Sequence, residues 1–367
     1  MLDACEQSPP YIRAIAPYQP GKPISELARE MGLDEANIIK LASNENPLGT
    51  GEQARRAIEA QLRDIARYPD GSGFDLKRVL AAHHHIGESS IVLGNGSNDV
   101  LEMAGRAFLG PGVSAVFSAH AFAVYPIATQ TSGATSIVVP AKDFGHDLDA
   151  MAAAVRADTR VMWIANPNNP TGTFVPAAQL EAFLRRIPGT VIVVLDEAYN
   201  EYLPDAVQFD SMRWLERFPN LIITRTFSKA FGLAGLRVGF AAAHPEVADL
   251  LNRVRQPFNV SAIAQAAAVA ALADVAFVER SRQLNQRGLE QIAAGMDRLP
   301  RRYIPSFGNF LTFHAGAAAD VYQRLLQQGV IVRPIGGYGM PEHLRVSIGL
   351  ESENERFLRA LQAALHA

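Results

Sequence analysis

Leu221-Ile222-Ile223-Thr224-Arg225-Thr226-Phe227-Ser228-Lys229-Ala230-Phe231-Gly232-Leu233-Ala234-Gly235-Leu236-Arg237 joins an apolar run to a lysine and a glycine-containing turn. The run reads as a buried strand, so Lys229 sits just beyond a strand end. A buried amine loses the hydration that favours its charged form, its pKa falls, and it becomes able to attack a carbonyl carbon. The chain holds five lysines, and Lys22, Lys40, Lys77 and Lys142 lie among polar or turn residues. A loop lysine on the surface is therefore the weaker reading of Lys229.

Outward from this segment, between about residues 90 and 245, short apolar runs alternate with helix-like segments. The pattern predicts an α/β unit with a parallel sheet covered on both faces. Strands are expected at 91–93, 113–117, 135–139, 161–165, 191–195, 221–226 and 238–243, with helices at 99–108, 148–157 and 176–186 among them. Beyond about residue 245 an alanine-rich helix (261–273) and a second helix (278–299) lead into a smaller unit. Its strands are expected at 310–314, 330–333 and 343–348, and its helices at 318–328 and 352–365. Prolines 9, 10, 17, 20 and 23 make the first 45 residues an extended arm with a short helix. The expected division is thus an arm (1–45), a large domain (46–260) and a small C-terminal α+β domain (261–367).

With 367 residues, two packed units are expected rather than one. A formal net charge of -3 gives no electrostatic footprint for nucleic acid. The single cysteine, Cys5, excludes an internal disulfide and a thiolate cage for a metal. No apolar run approaches the roughly 18 residues of a membrane span, and the acidic N-terminus lacks a secretory pattern, so the cytoplasm is the expected location. His83-His84-His85 invites a metal reading, yet consecutive histidines cannot share one face of a helix or strand; a helix C-terminus before Ile86-Gly87 explains them, and no metal is expected. Trp163 and Trp214 read as packing residues.

In parallel sheets ligands gather beyond the carboxyl ends of the strands, and there the unusual residues fall. Asp196, after the run 191–195, suits a pyridine nitrogen, and Tyr199, three residues on, suits a phenolic oxygen. Asn166-Pro167-Asn168-Asn169-Pro170-Thr171-Gly172 forms a fixed turn that presents an Asn amide. Gly94-Asn95-Gly96-Ser97-Asn98-Asp99 leads a strand into a helix, a seat for phosphate in which Gly96 permits close backbone approach; an ordinary N-cap at Ser97 or Asp99 is the alternative. Thr226, Ser228 and Arg237 complete a phosphate shell. A Schiff-base lysine, an acid for a ring nitrogen and a phosphate seat together point to pyridoxal phosphate.

Residues 226–235 resemble the lysine signature of class II pyridoxal-phosphate aminotransferases of fold type I. Pro17-Tyr18-Gln19-Pro20-Gly21-Lys22-Pro23, Leu41-Ala42-Ser43-Asn44-Glu45-Asn46-Pro47-Leu48-Gly49, Arg67-Tyr68-Pro69-Asp70-Gly71, Gly94 to Asp99 and His343-Leu344-Arg345-Val346-Ser347-Ile348-Gly349 narrow the resemblance to the histidinol-phosphate aminotransferase family, over nearly the whole chain. It implies a mostly parallel seven-stranded sheet in the large domain and a homodimer. It also implies transfer of the amino group of histidinol phosphate to 2-oxoglutarate, giving imidazole-acetol phosphate and glutamate in histidine biosynthesis. By motif, Lys229 is the Schiff-base lysine and proton carrier, Asp196 the partner of the ring nitrogen, and Tyr199 and Asn169 the donors to the phenolic oxygen. Ser97, Asn98, Thr226, Ser228 and Arg237 hold the cofactor phosphate, and Tyr68 reaches it from the partner subunit. Phe122 stacks on the ring. Arg345 grips a substrate anion, with Arg333, Tyr18 and Asn44 near the same pocket. Many relatives carry Pro and Tyr where this chain has His120 and Phe122, so a hydroxyl contact is absent. Three other readings share parts of the pattern: an aromatic or broad-range aminotransferase, a decarboxylase of a phosphorylated amino acid, and the sensor part of a transcription regulator. The last needs a DNA-binding domain for which the segment before Asn44 is too short and too rich in proline.

Overall fold

A computed structural model describes residues 2–366. Strand β1 (Ile39–Lys40) follows the N-terminal segment. Then come β2 (Ile91–Gly94), β3 (Ser114–Ser118), β4 (Thr135–Val139), β5 (Thr159–Ala165), β6 (Ile192–Asp196), β7 (Leu221–Thr226) and β8 (Gly239–Ala243), which form one seven-stranded sheet in the order β2-β8-β7-β6-β5-β3-β4. Only β8 runs against its neighbours. All seven expected strands are present. Their near-continuous apolar runs follow from burial on both sides: Val193, Leu195, Leu221 and Ile223 enter one core, and Ile192, Val194 and Ile222 enter the other. Successive side chains point to opposite faces, so a strand covered twice must be apolar at every position.

Because β5, β6 and β7 are parallel and in register, with Ala165 beside Asp196 and Asp196 beside Thr224, their carboxyl ends share one edge. The turn holding Asn169, the carboxylate of Asp196 and the segment bearing Lys229 leave that edge side by side.

The C-terminal unit contains β9 (Tyr303–Ile304), β10 (Phe310–His314), β11 (Val330–Ile331), β12 (Arg333–Pro334) and β13 (His343–Ser347). Here the expected single strand at 330–333 is two: β11 pairs with β1, and β12 joins the antiparallel sheet β12-β13-β10-β9. Val332 is the junction, where the chain changes sheet.

Two helices and the N-terminal segment link the units. The helix Ala262–Ala273 lies in the large core through Leu272 and through Ala264, Ala267, Ala268 and Ala271, whose small side chains let it approach its neighbours closely. The next helix, Val275–Arg298, bends away by 78° and enters the small core through Ile292 and Met296. Leu27 and Ile38 of the N-terminal segment pack with Leu326 and Ile331. These contacts tie the helix Ala262–Ala273 to the large core, and Leu27 and Ile38 to the C-terminal unit.

Candidate active site

A cleft of about 260 Å³ lies between the carboxyl edge of the large sheet and the small unit. Lys229 enters it from the turn after β7. Its amine donates to the carbonyl of Ser43 at 3.1 Å and lies 5.9 Å from the centre of the Tyr199 ring. Burial, helped by the charge of Arg345, lowers its pKa to about 8. Lys22 and Lys40 are engaged in ion pairs with glutamates, and no lysine but Lys229 lines the cleft.

Asp196 ends β6 with its carboxylate buried. Tyr125 donates to one oxygen at 2.8 Å and Thr224 to the other at 3.0 Å. Burial raises the pKa of this carboxyl group against the pull of both donors, so a cationic partner would be welcome there. No sequence motif gives Tyr125 a role. It lies in the run that contains Phe122, and its ring stacks on Trp163 at 5.4 Å, which fixes the hydroxyl. Tyr199 is held by Asn44, whose amide donates to the phenolic oxygen at 2.9 Å. Burial raises the Tyr199 pKa to about 12, so the hydroxyl keeps its proton and remains a donor.

The helix Ser97–Phe108 starts at Gly96 with no side-chain cap. Neither Ser97 nor Asp99 caps it: Asp99 instead accepts from the Asn95 amide and from Asn259. Its first amides are left for an anion. Gly96 has φ of 79°, and a Cβ there would come within 2.4 Å of the Arg237 guanidinium. Arg237 donates to Ser228 at 3.3 Å, and the Ser228 amide donates to Thr226 at 3.1 Å. Ser97, Asn98, Thr226, Ser228 and Arg237 all line this end of the cleft.

At the other end, Arg333 and Arg345 are direct partners across β12 and β13. Like charges opposite one another disfavour a sheet, so the pair makes sense as a receptor for an anion. Arg345 is buried, donates to Asn169 at 2.5 Å and to the carbonyl of Ala42 at 2.9 Å, and keeps its Nε without a partner. Burial lowers its pKa. Arg333 donates to the carbonyl of Gln19 and lies 5.3 Å from the Tyr18 ring. Asn44, with φ of 55°, is fixed by Ser347 and Asn309. No local pattern points from Asn44 to either of these two partners, because they sit 265 and 303 residues away.

Of the three asparagines in the proline turn, only Asn169 faces the cleft. Asn166 exchanges hydrogen bonds with Val175, and Asn168 bonds Thr171 and the carbonyl of His120. Their abundance serves the turn itself. Phe122 lines the cleft, edge-on to Tyr125 at 5.8 Å. Tyr68 stands apart: it is 82% exposed, stacks on Phe258 at 4.7 Å and does not line the cleft of its own chain.

Residues 36–361 match the family model for class I and II aminotransferases. Among similar proteins, histidinol-phosphate aminotransferase 2 of Nitrosospira multiformis is 61% identical over 365 residues, covering 99% of this chain and 93% of the relative. Histidinol-phosphate aminotransferase 1 of Dechloromonas aromatica is 61% identical over 364 residues, covering 99% and 100%. The crystal structure of histidinol-phosphate aminotransferase from Sinorhizobium meliloti in complex with pyridoxal-5'-phosphate superposes with a TM-score of 0.91 at 28% identity, covering 98% of each chain.

Proposed function

The chain belongs to the class I and II aminotransferase family, and from that premise we propose that it uses pyridoxal phosphate to move the amino group of histidinol phosphate to 2-oxoglutarate, in histidine biosynthesis. The products are imidazole-acetol phosphate and glutamate. The observation that carries this reading is the meeting, in one cleft, of a lysine with pKa near 8 and two opposed arginines. The relatives at 61% identity support the choice of substrate.

The residues fit the cofactor. The uncapped helix and the room that Gly96 leaves beside Arg237 suit a phosphate. Ser97, Asn98, Thr226, Ser228 and Arg237 would hold it, Asp196 would pair with the ring nitrogen, Tyr199 and Asn169 would face the phenolic oxygen, Phe122 would cover the ring, and Lys229 would take the aldehyde. When bound, the cofactor supplies an electron-withdrawing ring that accepts the electron pair left as a proton leaves the substrate α-carbon.

The chain's own residues perform the rest. Lys229, neutral in part at physiological pH because of its burial, accepts the α-proton and returns it. Asp196, gripped by Tyr125 and Thr224, would hold a fixed negative charge for the ring nitrogen. Arg345 anchors the anion of each substrate in turn: histidinol phosphate has no carboxylate, so its phosphate is the group to grip, whereas glutamate offers carboxylates. A guanidinium pairs bidentately with either. One pocket used alternately by two substrates gives ping-pong kinetics.

The exposed Tyr68 is the contribution of one subunit to the site of another, so the working form is a homodimer with a two-fold axis. The enzyme acts in the cytoplasm on small molecules. Turnover with histidinol phosphate, phenylalanine and phosphothreonine tests the reading: histidinol phosphate should be transaminated with the highest kcat/KM. Preference for phenylalanine, or release of carbon dioxide from phosphothreonine, would replace it.

A further inference from the structure

Residues 335–340 form a lip over the anion end of the cleft. Ile335 and Met340 are buried anchors packed with Ile304, and between them Gly336, Gly337 and Gly339 are exposed. The lip's backbone hydrogen bonds are three turns, from Tyr338 to Ile335, from Gly339 to Gly336 and from His343 to Met340. So few contacts make a segment that opens locally at small cost. Tyr338 lines the cleft, and its hydroxyl feels the charges of both Arg345 and Arg333.

One side chain of the large unit reaches across to this lip. His120 Nδ1 lies 2.6 Å from the carbonyl oxygen of Tyr338, and since a carbonyl only accepts, that nitrogen carries the proton and donates. The carbonyl of His120 accepts in turn from Asn168, in the turn that presents Asn169 to Arg345. His120 has φ of 57°, in the left-handed region that few side chains enter. Such a conformation persists where its surroundings over-determine it, and these residues cluster at clamps and active sites. Its ring is backed by Phe144 at 6.3 Å.

We propose that His120 is a positioning residue that latches the lip, by its bond to the Tyr338 carbonyl, over the arginine pair, and so sets how tightly the cleft holds a phosphorylated amino substrate. The substrate half of this statement rests on the proposed function; the latch itself rests on the geometry. His120 touches no reacting atom. Its effect is on KM, through the lip, more than on kcat.

Two variants separate backbone from hydrogen bond. His120→Gly accepts positive φ but has no donor, and His120→Asn tolerates positive φ and keeps an N–H donor. Hydrogen exchange of peptides covering residues 335–340 is measured on the holoenzyme, alongside KM and kcat for histidinol phosphate. Expected in H120G are exchange and KM each roughly tenfold higher, with kcat changed less, and in H120N a return toward the wild type. Wild-type exchange in H120G overturns the latch, and so does faster exchange with unchanged KM. If the wild type itself does not turn over histidinol phosphate, the proposed function has failed, whereas the exchange comparison, repeated with the donor the wild type does accept, still decides the latch.

Discussion

The two ends of the cleft are built on different plans. The cofactor end is made by consecutive strand termini of one sheet: Asp196 closes β6, Thr226 closes β7, and Lys229 and Arg237 follow within eleven residues of Thr226. The substrate end is assembled from distant places, namely Tyr18, Asn44 and the Arg333–Arg345 pair, with Asn169 of the sheet edge accepting from Arg345. A site made by one sheet inherits its geometry from hydrogen-bonded register. A site made by several segments depends on how the two units dock. Mutations at the first end should therefore fail on chemistry, and those at the second on recognition.

The largest effect is expected at Lys229. Lys229→Ala should still bind the cofactor without a covalent bond, yet lose turnover by at least about 10³, given that proton transfer by a positioned group contributes about 10²–10⁴. Steady-state assay of the reconstituted variant checks this; retention of a tenth of the activity would break the contrast between the ends.

Next is Arg345→Lys. A lysine cannot reproduce the two bonds to Asn169 and Ala42 together with a bidentate anion contact. Both half-reactions should weaken by roughly a hundredfold, as for a truncated buried charge contact, while an Arg333 substitution should affect them unequally. Single-turnover measurement with each substrate decides this: either half-reaction at the wild-type rate and affinity in R345K would refute the shared anchor.

Tyr125→Phe sharpens the comparison at the cofactor end. It removes one donor to the buried Asp196 carboxylate, and a hydrogen bond to a charged group is worth about 1.5–3 kcal/mol. Cofactor affinity should fall at least about tenfold with little change in the Michaelis constants, as read by equilibrium dialysis and kinetics. The smallest effect belongs to Tyr68→Phe, which should lower cofactor affinity a few-fold, as expected for a single exposed hydrogen bond across an interface. Unaltered affinity, or a fully active monomer by sedimentation, would remove Tyr68 from the site.

Titration adds a signed test. The Lys229 pKa lies near 8 in the fold, below its ordinary value near 10.5. Below pH 8 the amine is charged in both folded and unfolded chains, and the cost of burying that charge is fully present. As pH rises from 8 toward 10.5 the unfolded chain binds the extra proton, so this group's destabilisation is relieved. Apo-protein stability attributable to Lys229 should rise across that window, and the rate of cofactor capture should climb through pH 8. Comparison with Lys229→Met isolates the contribution.

How much of this was legible in the sequence follows the same divide. The seven strands of the large sheet were readable because burial on both faces forces uninterrupted apolar runs, and Asp196, Tyr199 and Lys229, the residues proposed for catalysis, lie within a few positions of those runs. The arginine pair could be named by resemblance, but its face-to-face geometry depends on the pairing of β12 with β13, which no local pattern states. Tyr125, Ser347 and Asn309 escaped for a related reason: each acts by meeting a residue 71 or more positions away. Which core receives the helix Ala262–Ala273 is not legible in composition, because that helix is apolar nearly all round.

Borohydride reduction of the purified protein, followed by peptide mapping, tests the central claim most directly. The account predicts a pyridoxyl label on Lys229 and on no other lysine. A label on Lys22, Lys40, Lys77 or Lys142, or no label on a protein that is active, would contradict it.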